Sequence, residues 1–110
     1  MKSSENKEQF LKKISKTLKK KLLFTLHATK QMNLPERFIS TEEIKETINQ
    51  KEIIELYSED SKGPSCLMRG ETSEGRVIHI VCSPKKVALI IITAYIPSSE
   101  EWKNNFKIRR

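Results

Sequence analysis

Phe10, Leu11, Ile14, Leu18 and Leu22 recur at helical spacing with lysines among them, which predicts an amphipathic basic helix over about residues 5 to 22. The next stretch, LLFTLHATKQMNLP, predicts a short helix ending at or before Leu34, because Pro35 disfavours helical geometry in the residue before it. Ala28 and Met32, four apart, form its apolar edge, while His27 and Gln31 share a neighbouring face, so His27 can look outward. ISTEEI is a helix start: Ser40 caps, Glu43 returns the hydrogen bond, and Ile39 with Ile44 makes the hydrophobic staple. That helix begins at Thr41, buries Ile44 and Ile48, and runs to about residue 50.

Beyond it the period changes. Short β-branched runs, EIIELY, CLMRGE, RVIHIVC and VALIIITAYI, alternate with turn-forming segments too short for a parallel crossover. Four strands in an antiparallel meander follow. Residues 87 to 96 are apolar on both faces, which makes this strand central or covered on both sides. Pro97 ends it, and Ser98 with Glu101 repeats the capping-box spacing ahead of a short C-terminal helix carrying Trp102 and Phe106 four apart. The expected architecture is α+β: N-terminal helices packed on a four-stranded antiparallel sheet, with Trp102 pinning the C-terminal helix to the sheet.

Length and charge sharpen this picture. At 110 residues the chain is one small domain. The net charge of +7 favours polyanionic partners, nucleic acid first, through counterion release. Lys2, Lys7, Lys12, Lys13, Lys16 and Lys19 to Lys21 crowd the start, and Lys107, Arg109 and Arg110 close the chain. Lys12, Lys13, Lys16, Lys20, Lys85 and Lys86 are the expected nucleic-acid contacts, set against the plainer reading that lysines serve solubility. The longest apolar stretch, VALIIITAYI, has strand length and the lysine-rich start has no signal-peptide pattern; the expected setting is cytoplasmic, with no membrane partner.

Cys66 and Cys82 are too few for a disulfide framework or a zinc site of CxxC pairs, and read as buried, reduced thiols. His79 and Cys82, three apart on a strand, point to opposite faces and do not share an ion without a bulge. No Walker motif, dinucleotide fingerprint or nucleophile elbow is present, so no metal and no cofactor is expected. What remains is a set of donors able to hold a phosphodiester and move its protons: His27, Arg37, Arg69, His79, Lys85, Lys86 and Tyr95. Such a set suits metal-independent RNA cleavage, in which a 2′-hydroxyl needs a base near neutrality and the leaving oxygen an acid. Against it stands the commoner role of a strand histidine, a satisfied core or edge residue. Parity puts His79 on a face with Val77 and Val81, and Tyr95 on one with Leu89, Ile91 and Thr93; hairpin pairing can bring these faces together.

HATKQM, then RFIS leading into TEEI, then PSCLMRGETSEGRVIHIV, then IIITAYIPSSEEW, resembles an uncharacterised family of small bacterial and archaeal domains with the pattern H-A-x-x-R-M, R-x-I-S, P-S-C-L, G-x-x-x-H-V-V and I-I-T-x-Y-x-P, followed by a Trp. The resemblance covers about residues 24 to 106, leaving residues 1 to 23 as the basic helix. Two departures stand out: Gln31 replaces the family's arginine, and the link from Met32 to Arg37 is longer, with Pro35 inserted. Members of this family are often encoded beside MqsA-like zinc-finger antitoxins, and the order of elements resembles RelE- and BrnT-type toxins. The resemblance therefore implies a toxin-like RNA-cleaving protein with an antitoxin partner, and supplies no assigned catalytic residues. In that reading His27 and His79 exchange protons while Arg37, Arg69 and Tyr95 steady the charge. The alternatives are a non-catalytic module gripping nucleic acid or an acidic protein through the basic helix, and a homodimer formed through a sheet edge.

Overall fold

A computed structural model describes residues 6–59 and 63–110; Lys2 and Glu5 lie outside the described residues. The first helix, α1 (Lys7–Lys20), is capped by Asn6, whose side chain accepts from the Gln9 amide at 2.8 Å while the Gln9 side chain returns the bond at 3.3 Å. Glu8 near its start and Lys19 and Lys20 at its end suit the helix dipole. It stops short of the expected residue 22 because Lys21 turns extended and begins a strand, β1 (Leu22–Phe24).

Helix α2 (Leu26–Met32) starts under the Thr25 side chain, which accepts from the Ala28 amide. Helix α3 (Thr41–Asn49) carries the full Ser40–Glu43 capping box expected from ISTEEI. Four strands then form the antiparallel meander: β2 (Ile53–Tyr57), β3 (Ser65–Glu71), β4 (Val77–Pro84) and β5 (Leu89–Tyr95). Gly75, at φ +85°, supplies the left-handed turn between β3 and β4 that a side chain would disfavour.

The sheet has five strands, not four, in the order β1-β5-β4-β3-β2, and is mixed. The correction comes from LLF: with the helix ended at Lys20, Leu22 and Phe24 pair parallel with Leu89 and Ile91, and the Leu89 amide donates to the Lys21 carbonyl. The doubly apolar β5 is thereby flanked on both sides, as its composition demands.

One face of the sheet is the apolar core. Ile78, Ile80 and Cys82 of β4 and Leu89, Ile91 and Ala94 of β5 pack with Phe10 and Ile14 of α1, Ala28 and Met32 of α2, and Ile44 and Ile48 of α3. Each such aliphatic chain contributes about 1.5–3 kcal/mol on burial. Helix α3 seats directly on β3 at Gly70, where a Cβ would stand 2.7 Å from the Thr47 Cα. Cys66 and Cys82 face one another across β3 and β4 with sulfurs 3.9 Å apart, both buried and free. The contact with the Cys82 sulfur, and after it burial, push the Cys66 thiol up, away from the nucleophilic thiolate.

The simple parity of β5 does not hold. The register shifts between Val81 and Cys82 of β4, whose partners are Thr93 and Ile91, so Ile92 is an extra residue on β5. Leu89 and Ile91 consequently face the core, while Tyr95 pairs with His79.

The C-terminal helix is also corrected. Ser98 begins a single turn, its carbonyl accepting from the amides of Glu101 and Trp102, and the chain then forms a hairpin of β6 (Trp102–Lys103) and β7 (Ile108–Arg109). Asn104, Asn105 and Phe106 stand at φ 52°, 58° and 65°. Asparagines tolerate this left-handed region, and that preference, more than the Trp102–Phe106 spacing, decides the segment.

Candidate functional site

The second face of the sheet carries a row of polar side chains. Arg69 of β3, His79 of β4 and Tyr95 of β5 are direct cross-strand neighbours, about 4.8 Å from strand to strand. The C-terminal hairpin covers them. His79 is fully buried, its Nδ1 3.1 Å from the Tyr95 hydroxyl and its Nε2 2.8 Å from the Phe106 carbonyl. A carbonyl only accepts, so Nε2 carries the proton and Nδ1 accepts from the tyrosine. Trp102, buried, stands edge-on to the imidazole, ring centroids 4.5 Å apart.

Arg69 is buried too. Its Nε donates to the Asn105 carbonyl at 2.8 Å, its Nη1 reaches Glu52 at 3.3 Å, and its Nη2 has no hydrogen-bond partner among the described residues. Toward the β2 edge, Glu55 accepts from Arg109 at 2.8 and 3.1 Å and from the Tyr57 hydroxyl, and Arg109 lies 4.7 Å over the Trp102 ring. Lys107 pairs with Glu52 at 3.2 Å.

Burial shapes the titration of these groups. It lowers His79 below its ordinary value, against the Phe106 carbonyl, which favours the proton; the neighbouring Arg69 lowers it further. Burial raises Tyr95. It pushes Tyr57 up to about 12, aided by the hydrogen bond to Glu55. Burial also works to raise Glu55, but the hydrogen bonds from Arg109 and Tyr57 outweigh it and hold the carboxyl below its usual range.

The lysines form a different site. Lys13, Lys16 and Lys20 of α1 and Lys85 and Lys86 of the β4–β5 turn line one surface hollow with Thr17 and Pro84, and no carboxylate among the described residues belongs to its lining. Lys20 Nζ donates to the Lys86 carbonyl at 3.2 Å, tying the turn to the helix. On the adjoining face of α1, Lys12, Lys16, Lys19 and Lys51 line a second hollow with Glu8. Lys85 also borders a hollow on the outer sheet face, with Tyr57, Val81 and Ile92.

The fold thus brings together Arg69, His79 and Tyr95, and separately five of the six lysines singled out in the sequence, Lys12 lying in the adjoining hollow. It does not bring His27 or Arg37 to His79. His27 is exposed on α2, whose buried residues Ala28 and Met32 sit on the core face, and among the described residues it makes no hydrogen bond or ring contact. Arg37 donates to Gln31 at 2.9 Å, in the α2–α3 connection, and its carbonyl accepts from Arg76, which forks onto Glu43. Sequence reasoning missed Glu52, Glu55, Tyr57 and Arg109. Glu55 and Tyr57, two apart in EIIELY, share a strand face, which was a readable signal; the pairing of Arg109 with Glu55 depends on a hairpin that was read as a helix.

Against known families, residues 24–96 match the domain of unknown function DUF4258, and the chain belongs to that family. Searches of curated proteins and of solved structures found no significant match. His27, Arg37, Arg69, His79 and Tyr95 all lie within the matched residues, whereas the whole of α1 and the whole C-terminal hairpin lie outside them.

Proposed function

We propose that the protein binds RNA through the lysine surface of α1 and the β4–β5 turn. The observation that carries this is the convergence of Lys13, Lys16, Lys20, Lys85 and Lys86, from segments far apart in sequence, on one hollow with no carboxylate among the described residues that line it. Phosphates laid there release counterions, and the affinity follows the number neutralised. The test is the salt dependence of binding to a single-stranded RNA. Replacing Lys16, Lys20 and Lys86 together by Glu should weaken binding about 100-fold near 0.1 M salt and flatten the slope of log K against log salt by about 2, at roughly 0.7 per phosphate lost. An unchanged slope would remove the proposal.

Metal-independent cleavage of the bound RNA, as in a toxin held in check by an antitoxin, is the second reading, favoured by the cross-strand row of Arg69, His79 and Tyr95. In that reaction the 2′-hydroxyl oxygen bonds to phosphorus and the P–O5′ bond breaks, leaving a 2′,3′-cyclic phosphate and a 5′-hydroxyl. With the C-terminal hairpin displaced and Tyr95 turned away from it, Nδ1 of neutral His79 takes the 2′-hydroxyl proton, Tyr95 gives its own to the departing oxygen, and Arg69 faces the non-bridging oxygens. Cleavage should be insensitive to chelator and lost in His79→Gln. RNA that stays intact at saturating protein would end this reading and leave the binding proposal standing.

A further inference from the structure

Arg69 and His79 form a buried cationic and imidazole pair on the outer sheet face. Two nitrogen donors, side by side on neighbouring strands, are both capped by backbone carbonyls of consecutive residues, Asn105 and Phe106, each at 2.8 Å. A third donor in the same place, Arg69 Nη2, is buried without a partner among the described residues. A guanidinium with a donor to spare beside an imidazole N–H is an arrangement suited to an anion with several acceptor oxygens, which two carbonyls satisfy only in part.

The segment supplying those carbonyls is slight and exposed. Its strands are two residues long, and Lys103 to Asn105 and Lys107 to Arg110 are exposed. The accepting carbonyls sit in a run of three left-handed residues, one of them a phenylalanine, for which this backbone costs about 1 kcal/mol or more. Beyond Trp102, the hairpin's side-chain ties to the sheet are two exposed cations, Arg109 on Glu55 and Lys107 on Glu52. Short, exposed, strained segments open at low free energy. The hairpin also lies wholly outside the residues that match the family.

We infer that the outer sheet face holds a phosphodiester-binding site formed by Arg69 and His79, and that the turn Asn104–Phe106 is an internal plug whose two carbonyls occupy the places of phosphate oxygens. This rests on the reading of the Arg69–His79–Tyr95 row as a phosphate-handling site, and it assigns that row a closed and an open state. Of the charged groups around the imidazole, Arg69 remains on the sheet to favour an anion and keeps its pairing with Glu52, whereas Lys107 and Arg109 leave Glu52 and Glu55 with the hairpin, so phosphate enters against these two carboxylates. The open hollow lined by Tyr57, Val81, Ile92 and Lys85 continues this face toward the lysine surface, so an RNA strand held there has a path to the plug.

The test uses the full chain with Arg109→Ala and Lys107→Ala combined, and separately Trp102→Ser, none of which removes Arg69 or His79. Amide exchange at Lys107 and Arg110 reports whether the hairpin is released, and the ring proton resonances of His79, told apart from those of His27 with a His27→Gln variant, report its site. Inorganic phosphate is the first probe and a short single-stranded oligoribonucleotide the second. In the wild type, phosphate should leave the His79 resonances unmoved. In the released variants, exchange should quicken at least tenfold, and phosphate should shift the His79 resonances and raise its measured pKa by about one unit, as a nearby anion does. Both effects on His79 should vanish when Arg69→Gln is added. Release without any response of His79 to either probe would overturn the inference, as would exchange that stays slow in both variants, since the hairpin would then be a fixed part of the fold. Phosphate bound on release with no cleavage of the oligoribonucleotide would uphold the plug and end the cleavage reading, so the two failures are separable.

Discussion

Two groups of cations sit on this molecule and behave oppositely. The lysines of α1 and the β4–β5 turn line a hollow with no carboxylate among its described residues. The cations of the outer sheet face are matched to acids: Arg69 to Glu52, Arg109 to Glu55, Lys107 to Glu52. The first group is exposed around one hollow and open to a polyanion; the second spends its charge on holding a hairpin over a buried histidine. Position in the fold, and not residue type, decides which role a cation takes. Lysines on the open side of an amphipathic helix stay solvated, whereas arginine on a covered strand must find acceptors.

The contrast can be broken most forcefully at Trp102. Trp102→Ala should cost about 3–5 kcal/mol in denaturant unfolding, because a buried ring packed on His79 leaves a cavity. The triple change of Lys16, Lys20 and Lys86 to Ala should move stability by no more than about 0.5 kcal/mol while still weakening RNA binding. Equal stability losses at the two sites would erase the distinction.

Acid sharpens it next. Folding lowers the His79 pKa, so near and below 6.5 the unfolded chain holds the proton that the folded chain does not, and stability rises with pH there. The contribution of His79 is fully present above 6.5 and is lost as pH falls through the folded value. Thermal unfolding followed from pH 8 to pH 5 should show a falling midpoint, and His79→Gln should flatten the fall; a wild-type midpoint flat across that range would contradict the burial. A smaller effect, about 1 kcal/mol, is expected from Ser40→Ala, which removes the α3 cap. Smallest is Glu55→Gln, under about 1 kcal/mol because Arg109 is largely solvated. Its clearer mark is spectroscopic: the Tyr57 phenol, pushed up to about 12, should titrate closer to 10 in an absorbance titration.

Much of the helical layer was legible because its signals are local. Ser40 and Glu43 cap α3 as their spacing says, and the amphipathic stripe of α1 packs by Phe10 and Ile14. The meander was legible from short β-branched runs between turns. What the sequence concealed is nonlocal. Nothing within Leu22–Phe24 shows that β5 waits with a free edge, and the extra residue at Ile92, which sends Leu89 and Ile91 inward and Tyr95 outward, depends on pairing with β4. At the C-terminus two local signals competed, a capping spacing and a pair of asparagines, and the hairpin gained Trp102 packing and the Arg109–Glu55 pair only through tertiary contact. For the site, Arg69, His79 and Tyr95 were each visible as chemistry-bearing residues, yet their adjacency is a matter of register. His27 and Arg37, equally visible, went to the helical side.

The most direct measurement is a residue-by-residue map of amide and side-chain resonance shifts as a single-stranded RNA is added to the full chain at moderate salt. The account predicts the largest shifts at Lys13, Lys16, Lys20, Lys85 and Lys86, shrinking as salt is raised, with α3 and the His27 ring unmoved. Shifts concentrated on α2 and α3 and indifferent to salt, with the α1 lysines silent, would contradict it.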